Sequence, residues 1–416
     1  MNLHEAGPAP LTSRLSVGRL LAAAEAAAPV EAVDAVAEAL TELVGAEQVS
    51  FLIADFSGDS LIRLGQSAAG AATRHKGAET GERVALSGTP HGRALASQSV
   101  QVVGDADGAC VYAPVTSRGE AVGVLELRLR NGADEQTVAD VTEAAHALAY
   151  IVIASRRYTD LYEWGQRSVP LSLAAEIQHR LLPGSYTCES AQFTLAAWLE
   201  PAGEVGGDTF DFSLDRGTLH FSITDAMGHT VNASLLATLL VGSIRNGRRR
   251  GCDLVEQARL ADAALAEHAG ELQYVTGQIG CIDLVSGTAR IVNAGHPLPL
   301  RLRDGIVDEV PLSACRPFGL ADDSTYSAQV LPLTPGDRLM FITDGLLERG
   351  AAGLDLRAIL ESSRGDHPRE AVQHLIQAAT AASGGKLADD GTALCLDWHG
   401  GPLRARDATA GAGPVP

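Results

Sequence analysis

The sequence predicts a mixed α/β protein of the α+β type, with two domains joined by helices. Its 416 residues exceed what one ordinary hydrophobic core holds, so two domains and a connector are expected. Hydrophobic residues make up 46% of the chain and aromatic residues only 4%, and the many alanines and leucines favour helices. Short β-prone runs alternate with these helical segments, and in the second half two of the runs end in an aspartate.

Charge and cysteine content narrow the class of protein. A formal net charge of −19 argues against a nucleic-acid partner, whose phosphates would be repelled. No apolar run approaches the roughly 20 residues that span a bilayer, and the N-terminus lacks the pattern of a signal peptide. The six cysteines are scattered without a CxxC pair, which suits free thiols in a reducing compartment. We therefore expect a cytoplasmic protein with no membrane and no nucleic-acid partner.

The first part of the chain has the pattern of a small antiparallel sheet with helices. Residues 1–13 are small and polar and contain proline, which predicts a disordered tail. Residues 14–133 begin with a helical stretch and continue with β-prone runs separated by turns. The predicted strands are 49–56, 61–64, 100–103, 109–117 and 121–128, with a loop over 65–82 and a short helix over 89–97.

This order of elements resembles a GAF domain, an antiparallel sheet flanked by helices. The resemblance is carried by Val49-Ser50-Phe51-Leu52-Ile53-Ala54, Gly92-Arg93-Ala94-Leu95, Tyr112-Ala113-Pro114-Val115 and Ala121-Val122-Gly123-Val124-Leu125. GAF domains bind small ligands or serve as dimerisation modules, so the resemblance implies a sensor domain with a small ligand as a candidate partner. Cys110 lies in a β-prone run, and an inert buried thiol is a better interpretation than a redox or chromophore site.

Residues 134–183 are predicted to form a helical linker and dimerisation segment. A helix over 134–164 carries an apolar stripe with the 3-4-3-4 spacing of a two-stranded coiled coil. The stripe consists of Val138, Val141, Ala145, Leu148 and Val152. It could instead pack on the sheet of its own chain, and both arrangements could hold together; we expect a parallel homodimer. Pro170 predicts a break, after which a short helix over 171–182 ends at Pro183-Gly184.

Four short acidic motifs in the second half carry the strongest functional signal. They are Gly206-Gly207-Asp208, Thr224-Asp225-Ala226-Met227-Gly228-His229, Thr343-Asp344-Gly345 and Asp389-Asp390-Gly391-Thr392. An aspartate that ends a buried strand is held at the rim of a sheet, and several carboxylates converging there repel one another unless a cation lies between them. Hard divalent ions such as Mg²⁺ or Mn²⁺ prefer such oxygen ligands. The motifs therefore predict a divalent-cation site.

Taken in order, these motifs resemble the signature of the SpoIIE-type bacterial serine phosphatases, relatives of the type 2C metal-dependent (PPM) phosphatases. Two further segments belong to the match, Ile177-Gln178-x-x-Leu181-Leu182-Pro183 and Asn293-Ala294-Gly295-His296-x-x-Pro299. The resemblance covers about residues 172–399 and implies a phosphatase domain over 184–399, a β-sandwich of two sheets flanked by helices. Thr230 departs from the pattern, because the family usually has glycine after the motif histidine.

The resemblance also implies a metal centre with two Mn²⁺ or Mg²⁺ ions per active site. The implied ligands are Asp208, Asp225, the backbone carbonyl of Ala226, Asp344 and Asp389. Asp225 would bridge both ions, and Asp390 is an alternative ligand beside Asp389. A water activated by the ions would attack the phosphorus directly, so that no phosphoenzyme is needed.

Other residues near the motifs leave their roles open. His229 could orient the attacking water or a phosphate, or it could be a satisfied turn histidine. Asn293 and His296 are better interpreted as holding a tight turn than as chemical groups. Asp211 is interpreted as a structural residue or a weak outer ligand. Gly384-Gly385-Lys386 lacks the rest of a phosphate-binding loop and predicts a flexible flap.

The resemblance implies a function for the whole chain. It would be a metal-dependent serine/threonine protein phosphatase acting on a phosphorylated anti-sigma-factor antagonist, under the control of the GAF domain. Two alternatives remain: a non-catalytic sensor or scaffold that uses the phosphatase fold for partner binding, and a small-molecule phosphatase. Residues 400–416, rich in Gly, Pro and Ala, are predicted to be a disordered tail.

Overall fold

The computed structural model describes residues 15–402, apart from 57, 69–70, 73–80, 106, 168–170, 203–205, 229–230, 269–272, 321–324 and 348–352. The predicted tail over 1–13 and most of the tail over 400–416 lie outside the described residues. The chain divides into two compact units, with the division after residue 169.

The first unit is one antiparallel sheet flanked by helices, as the sequence predicted for this region. Its helices are α1 (Val17–Ala26), α2 (Ala32–Val44), α3 (Pro90–Ser97), α4 (Glu135–Ser155) and α5 (Leu161–Gly165). Its strands are β1 (Gln48–Ala54), β2 (Ser60–Ala68), β3 (Ala71–Ala72), β4 (Arg83–Ala85), β5 (Gln101–Asp105), β6 (Gly108–Ser117) and β7 (Glu120–Leu129). The strand order is β3-β2-β1-β7-β6-β5, and β4 also pairs with β2.

The side chains of the central strands alternate between two apolar clusters. Phe51 and Leu125 lie in the larger cluster, together with residues of α1, α2 and α4. Leu52 and Val124, each one residue away, lie in a smaller cluster with Leu95 of α3. Because successive strand residues point to opposite faces, helices cover both faces of this sheet. The assignment to the GAF family stays a prediction.

Two details of the first unit differ from the sequence predictions. The return strand predicted over 61–64 is longer, and β2 with β3 occupies part of the loop predicted over 65–82. Main-chain pairing with β1 determines this length, and composition does not reveal such pairing. Cys110, predicted to be buried, is only partly buried, and its Sγ accepts a hydrogen bond from Nη1 of Arg128 at 3.4 Å.

The apolar stripe of α4 packs inside its own unit. Val141, Ala145, Leu148 and Val152 are each at most 1% exposed and belong to the larger apolar cluster of the sheet. This confirms the alternative in which the stripe packs on the sheet of its own chain. The homodimer stays a prediction.

The single helix predicted over 134–164 is wrong. α4 ends at Ser155, and the separate helix α5 begins at Leu161, whose N–H donates to the Thr159 hydroxyl at 3.2 Å. The turn brings Tyr162 into the core, where its side chain is fully buried. The predicted linker over 134–183 is therefore divided, because α4 and α5 lie in the first unit and the next helix lies in the second.

α4 is also long and apolar enough to cross a bilayer by length and composition alone, contrary to the expectation that no segment comes close. Core helices of soluble proteins meet the same criteria, and half of its most apolar window is buried inside the structure. This single helix is therefore weak evidence for a membrane.

The second unit contains five α-helices and eleven strands among its described residues. The helices are α6 (Leu173–Leu181), α7 (Val231–Arg249), α8 (Leu254–His268), α9 (Leu356–Ser362) and α10 (Pro368–Ala382), with 3-10 turns at Asp344–Leu346 and Ser363–Gly365. The strands are β8 (Thr187–Glu189), β9 (Phe193–Glu200), β10 (Asp208–Leu214), β11 (Thr218–Ala226), β12 (Val275–Asp283), β13 (Thr288–Ala294), β14 (Leu300–Arg303), β15 (Ile306–Glu309), β16 (Gln329–Pro332), β17 (Asp337–Ile342) and β18 (Gly391–Trp398).

These strands form a β-sandwich flanked by helices, as the resemblance implied. One antiparallel sheet has the order β10-β11-β12-β13-β16 and the other the order β15-β14-β17-β18-β9-β8. A shared apolar core lies between the sheets, where the rings of Phe221 and Phe341 have centroids 5.0 Å apart. α7 and α8 pack on the outer face of the first sheet, and α9 and α10 pack on that of the second.

The burial of Tyr162 can be tested by truncation. We expect Tyr162→Ala to lower the free energy of unfolding of the first unit by about 3–5 kcal/mol, because it leaves a large cavity in a close-packed core. Tyr158→Ala is the matched control, since Tyr158 lies four residues earlier and is 74% exposed. Urea denaturation followed by circular dichroism measures both variants. Equal effects of the two substitutions would contradict the packing described for α5.

Candidate metal centre

The ends of four strands bring the acidic motifs together. Asp208 begins β10 and lies directly opposite Asp225 of β11 in the antiparallel register. Asp344 follows β17 by two residues, and Asp389 precedes β18 by two. Since β10 and β11 belong to one sheet and β17 and β18 to the other, the site lies where corresponding ends of the two sheets meet.

A buried hydrogen-bond network around Asp208 joins the two sheets at this point. Oδ2 of Asp208 accepts hydrogen bonds from the hydroxyls of Thr343 and Thr392, both at 2.7 Å. The Thr392 N–H in turn donates to the Thr343 hydroxyl at 2.9 Å. All three side chains are buried, with Asp208 only 2% exposed. Three of the four acidic motifs are thus tied together through one carboxylate oxygen.

The carboxylates repel one another strongly in this setting. Burial, followed by the charges of Asp225 and Asp390, raises the pKa of Asp208 well above its ordinary value. Burial, followed by the neighbouring Asp344 and Asp389 carboxylates, raises the pKa of Asp225 to about 7. A raised carboxylate pKa means that the negative charge is unfavourable where it stands. A divalent cation bound among these groups would relieve that cost.

The donor set fits Mg²⁺ or Mn²⁺, although the side chains do not form a closed cage. Among the described residues, no three His, Cys, Asp or Glu side chains are placed so that together they could hold an ion. The pairing of Asp208 with Asp225 and the hydrogen bonds from Thr343 and Thr392 to Asp208 nevertheless bring the acidic motifs to one place. Mg²⁺ commonly keeps several water ligands and takes few protein carboxylates. Asp208, Asp225, Asp344 and Asp389 therefore remain the predicted ligands.

Asp389 and Asp390 differ in their environments although they are adjacent. Asp390 is buried, and its carboxylate accepts hydrogen bonds from Nε2 of Gln178 at 2.6 Å and from the N–H groups of Ala202 at 2.9 Å and Gly207 at 3.3 Å. These donors occupy its oxygens and give it an anchoring role. Asp389 is only partly buried, and its charge contributes more than that of Asp390 to the raised pKa of Asp225. The geometry favours Asp389 over Asp390 as a metal ligand.

Two motif glycines let main-chain groups approach closely at the site. A Cβ atom on Gly345 would lie 2.0 Å from the backbone oxygen of Asp390. A Cβ atom on Gly207 would lie 2.6 Å from the carbonyl oxygen of Ala226, the carbonyl predicted as a ligand. Any larger residue at either position would push these segments apart, because real Cβ contacts are not that short.

The remaining predicted residues take structural positions or fall outside the description. His229 and Thr230 are not among the described residues. Asp211 pairs with Arg245 at 2.8 Å and with Arg248 at 3.2 Å, which makes it a structural anchor for α7.

The Asn293–His296 segment forms the predicted tight turn. Oδ1 of Asn293 accepts from the His296 N–H at 2.8 Å, and Nδ2 donates to the His296 carbonyl at 3.1 Å. Burial lowers the pKa of His296 to about 3, so its ring is neutral. The ring lies 3.0 Å from the hydroxyl of Thr276, which is opposite Asp225 in the sheet register. The turn therefore packs beside the strand that pairs with Asp225, and its neutral histidine adds no charge to the site.

Sequence reasoning overlooked three polar residues of the site. Thr343 and Thr392 lie within the quoted motifs, but only the neighbouring carboxylates were assigned roles. Gln178 lies within the segment that precedes the domain and was assigned none. The available signal for the threonines was their position, since Thr343 directly precedes Asp344 and Thr392 follows Asp390 by two residues. No local sequence feature marks the contacts of Gln178.

Removal of one charge from the site should stabilise the protein when no divalent cation is present. The raised pKa of Asp225 means that its protonated form stabilises the fold at low pH, and that this stability is lost as the pH rises through about 7. We expect Asp225→Asn to have its largest gain in melting temperature at pH 8 and almost none at pH 4. Differential scanning calorimetry in chelated buffer measures this.

The matched control for this experiment is Asp253→Asn. Asp253 is exposed and caps α8 through the Glu256 N–H at 2.9 Å, a role that asparagine fills equally well. The control should show no pH-dependent gain. A lower melting temperature for Asp225→Asn at pH 8 would contradict the repulsion described above.

Comparison with known proteins finds similarity within the second unit. Residues 215–399 match the family model described as Stage II sporulation protein E (SpoIIE). Protein IcfG of Synechocystis sp. is 26% identical over 213 residues, which cover 44% of this chain and 33% of that protein. Phosphoserine phosphatase RsbP of Bacillus subtilis is 25% identical over 187 residues, covering 44% of this chain and 46% of that protein. The chain thus spans less than half the length of either relative.

Solved structures include two similar chains. The RsbU and RsbW domains of Rv1364c from Mycobacterium tuberculosis are 24% identical, covering 52% of this chain and 63% of that chain with a TM-score of 0.46. The PP2C phosphatase domain of SpoIIE from Bacillus subtilis, with a fragment of its regulatory domain, is 19% identical, covering 51% and 64% with a TM-score of 0.46. Residues 215–399, which match the SpoIIE family model, include three of the four ordered acidic motifs in full, Thr224-Asp225-Ala226-Met227-Gly228-His229, Thr343-Asp344-Gly345 and Asp389-Asp390-Gly391-Thr392.

Proposed function

We propose that this chain is a metal-dependent serine/threonine protein phosphatase. The observation that carries the proposal is the convergence of the motif carboxylates Asp208, Asp225, Asp344 and Asp389 at the joined ends of both sheets. A protein gains no stability from gathering buried like charges, so such a cluster indicates a cation site used for chemistry. The match of residues 215–399 to the SpoIIE family supports phosphate-ester hydrolysis as that chemistry.

We propose two Mn²⁺ or Mg²⁺ ions per site, since four carboxylates suit two divalent charges. When bound, the ions would activate water and neutralise the charge of the substrate phosphate. Asp208 is held immobile by its two threonine hydroxyls, so it presents its other oxygen from a rigid position. Asp344 is exposed and lies where a substrate arriving from solvent would meet the site.

Two of the six cysteine thiols are held in the protonated, unreactive form by burial. Burial raises the pKa of Cys395 to about 12, and it also raises the pKa of Cys281. The thiolate is the nucleophilic form of cysteine, so neither group is activated. Direct attack by water on the phosphorus is the mechanism that the described residues favour.

The substrate we propose is a phosphorylated serine on an anti-sigma-factor antagonist protein. One relative, RsbP, is named a phosphoserine phosphatase, and the SpoIIE-type motifs of this chain favour the same substrate class. We further propose that the first unit is a GAF-type sensor that takes a small ligand and controls the phosphatase, and that the protein acts in the cytoplasm without nucleic-acid or membrane partners.

Hydrolysis should depend on a divalent cation and on Asp225. We expect the wild type to hydrolyse p-nitrophenyl phosphate and a phosphoserine protein with Mn²⁺, to lose activity in EDTA and to regain it on adding Mn²⁺. Asp225→Asn should reduce the rate by more than about 100-fold, because loss of an outer-shell partner alone costs 10–100-fold. Asp253→Asn serves as the control with wild-type activity.

Other outcomes would assign a different function. A wild type that binds a phosphorylated antagonist but hydrolyses nothing with Mn²⁺ or Mg²⁺ would indicate a non-catalytic scaffold. Efficient turnover of small phosphate esters, with none of phosphoserine proteins, would indicate a small-molecule phosphatase.

We also propose a homodimer formed through the exposed side of α4. Tyr150 and Ile153 are 50% and 40% exposed and lie on the side of α4 that faces away from the core. The double variant Tyr150→Glu with Ile153→Glu should be monomeric by light scattering while remaining folded by circular dichroism. A wild type that is already monomeric at micromolar concentration would overturn the dimer.

A further inference from the structure

The helix α6 precedes the two sheets of the second unit and places a buried glutamine against the acidic motifs. Gln178 lies in the middle of α6 and is 2% exposed. We propose that Gln178 is a positioning residue for the metal centre, and that its side-chain amide holds two acidic motifs in the arrangement that cation binding requires. This inference rests on the proposed metal-dependent function.

Both N–H groups of the Gln178 amide are used. Nε2 donates to Oδ2 of Asp390 at 2.6 Å and to the backbone carbonyl of Asp208 at 2.8 Å. Both partners are acceptors, so the network itself requires the nitrogen rather than the oxygen at this position. The two N–H groups of the amide thus meet two acceptors, the Asp390 carboxylate and the Asp208 carbonyl. An apolar side chain or a carboxylate offers no N–H group and cannot replace them.

Each of the two contacts leads directly to a predicted metal ligand. The Asp390 N–H donates to Oδ1 of Asp389 at 2.8 Å, so an anchored Asp390 also orients its neighbour. The Asp208 carbonyl belongs to the residue whose own carboxylate joins Thr343 and Thr392. One amide therefore connects the first and last acidic motifs, which a span of some 180 residues separates in the sequence.

The position of Gln178 is itself well supported, because α6 is held at both ends. The hydroxyl of Ser234 donates to the Ala174 carbonyl at 3.0 Å near the start of the helix. The guanidinium of Arg245 donates to the Leu181 carbonyl at 2.6 Å at its end. With both ends attached to α7, the glutamine between them has little freedom. A site whose supporting residues are rigid in this way is preorganised for its ligand.

Gln178 also moderates the charge of the cluster. It supplies a hydrogen-bond donor to the carboxylate of Asp390, which is 2% exposed and lies beside the predicted ligand Asp389. Removal of that donor would leave a buried carboxylate less compensated, held by the N–H groups of Ala202 and Gly207 alone. The expected consequence is a disordered ligand set, with weaker cation binding.

The test compares three variants of the full chain. Gln178→Met keeps the length and apolar stem but removes both donors, and Gln178→Glu keeps the shape but places a carboxylate against Asp390. Arg180→Gln is the matched control, because Arg180 lies on the same helix and is 57% exposed. Isothermal titration calorimetry measures Mn²⁺ affinity, calorimetric scanning measures the melting temperature, and hydrolysis of a phosphoserine peptide measures kcat.

We expect Gln178→Met to weaken Mn²⁺ binding by about 10–100-fold, the usual effect of losing an outer-shell partner. Gln178→Glu should weaken it further, and both should lower kcat at saturating Mn²⁺. Arg180→Gln should match the wild type in affinity and kcat. A Gln178→Met protein with wild-type Mn²⁺ affinity and kcat would overturn the positioning role and leave Gln178 as a packing residue.

Two further outcomes separate this inference from the proposed function. If Gln178→Met fails to fold, Gln178→Asn decides, because it keeps an amide but is one methylene too short to hold both hydrogen bonds: reduced Mn²⁺ affinity supports the inference and wild-type affinity overturns it. A wild type that binds Mn²⁺ but hydrolyses no phosphate ester overturns the phosphatase proposal alone, and the affinity series still tests Gln178. A wild type that binds no Mn²⁺ overturns both.

Discussion

The buried carboxylate of Asp208 is the constraint on which the second unit depends. It stands at the start of a strand in one sheet and accepts the hydroxyls of Thr343 and Thr392, which belong to the ends of strands in the other. The shared apolar core presses the two sheets together along their length, but that packing is non-directional. Directional hydrogen bonds at one shared end select a particular register between the sheets, and that register brings the carboxylates within reach of one another.

The cost of this arrangement is electrostatic, and it explains how neighbouring residues divide their roles. Asp208 and Asp225 have raised pKa values because burial and mutual repulsion disfavour their charges. Asp390 is equally buried but is compensated by one side-chain and two main-chain donors, so it serves the structure. Asp225, Asp344 and Asp389 are partly or fully exposed and can face a cation, whereas the buried Asp390 holds the framework. Asp208 combines both roles, because only its Oδ2 is held by the two threonine hydroxyls. The same distinction makes Asp211, with its two arginines, an anchor for α7.

A helix that precedes the sheets completes this framework. α6 reaches the acidic motifs through the side chain of Gln178, and it is attached to α7 at both ends. α7 itself follows the strand that carries Asp225. Any displacement of α6 against α7 would therefore be felt first at Asp390 and at the main chain of Asp208. This gives α6, which precedes the sheets of the second unit, a direct physical connection to the proposed metal centre.

The sequence by itself determined the α/β class, most strands of the first unit and the acidic motifs, because these depend on local periodicity and on residue types at strand ends. It also determined that Asn293 and His296 form a turn. Only the tertiary structure decided that α4 ends at Ser155, that its apolar stripe packs on its own sheet, that Asp390 is an anchor and that Gln178 touches the site. Each of these depends on contacts between residues far apart in the chain, and neither propensity nor spacing encodes which distant donor reaches a buried acceptor.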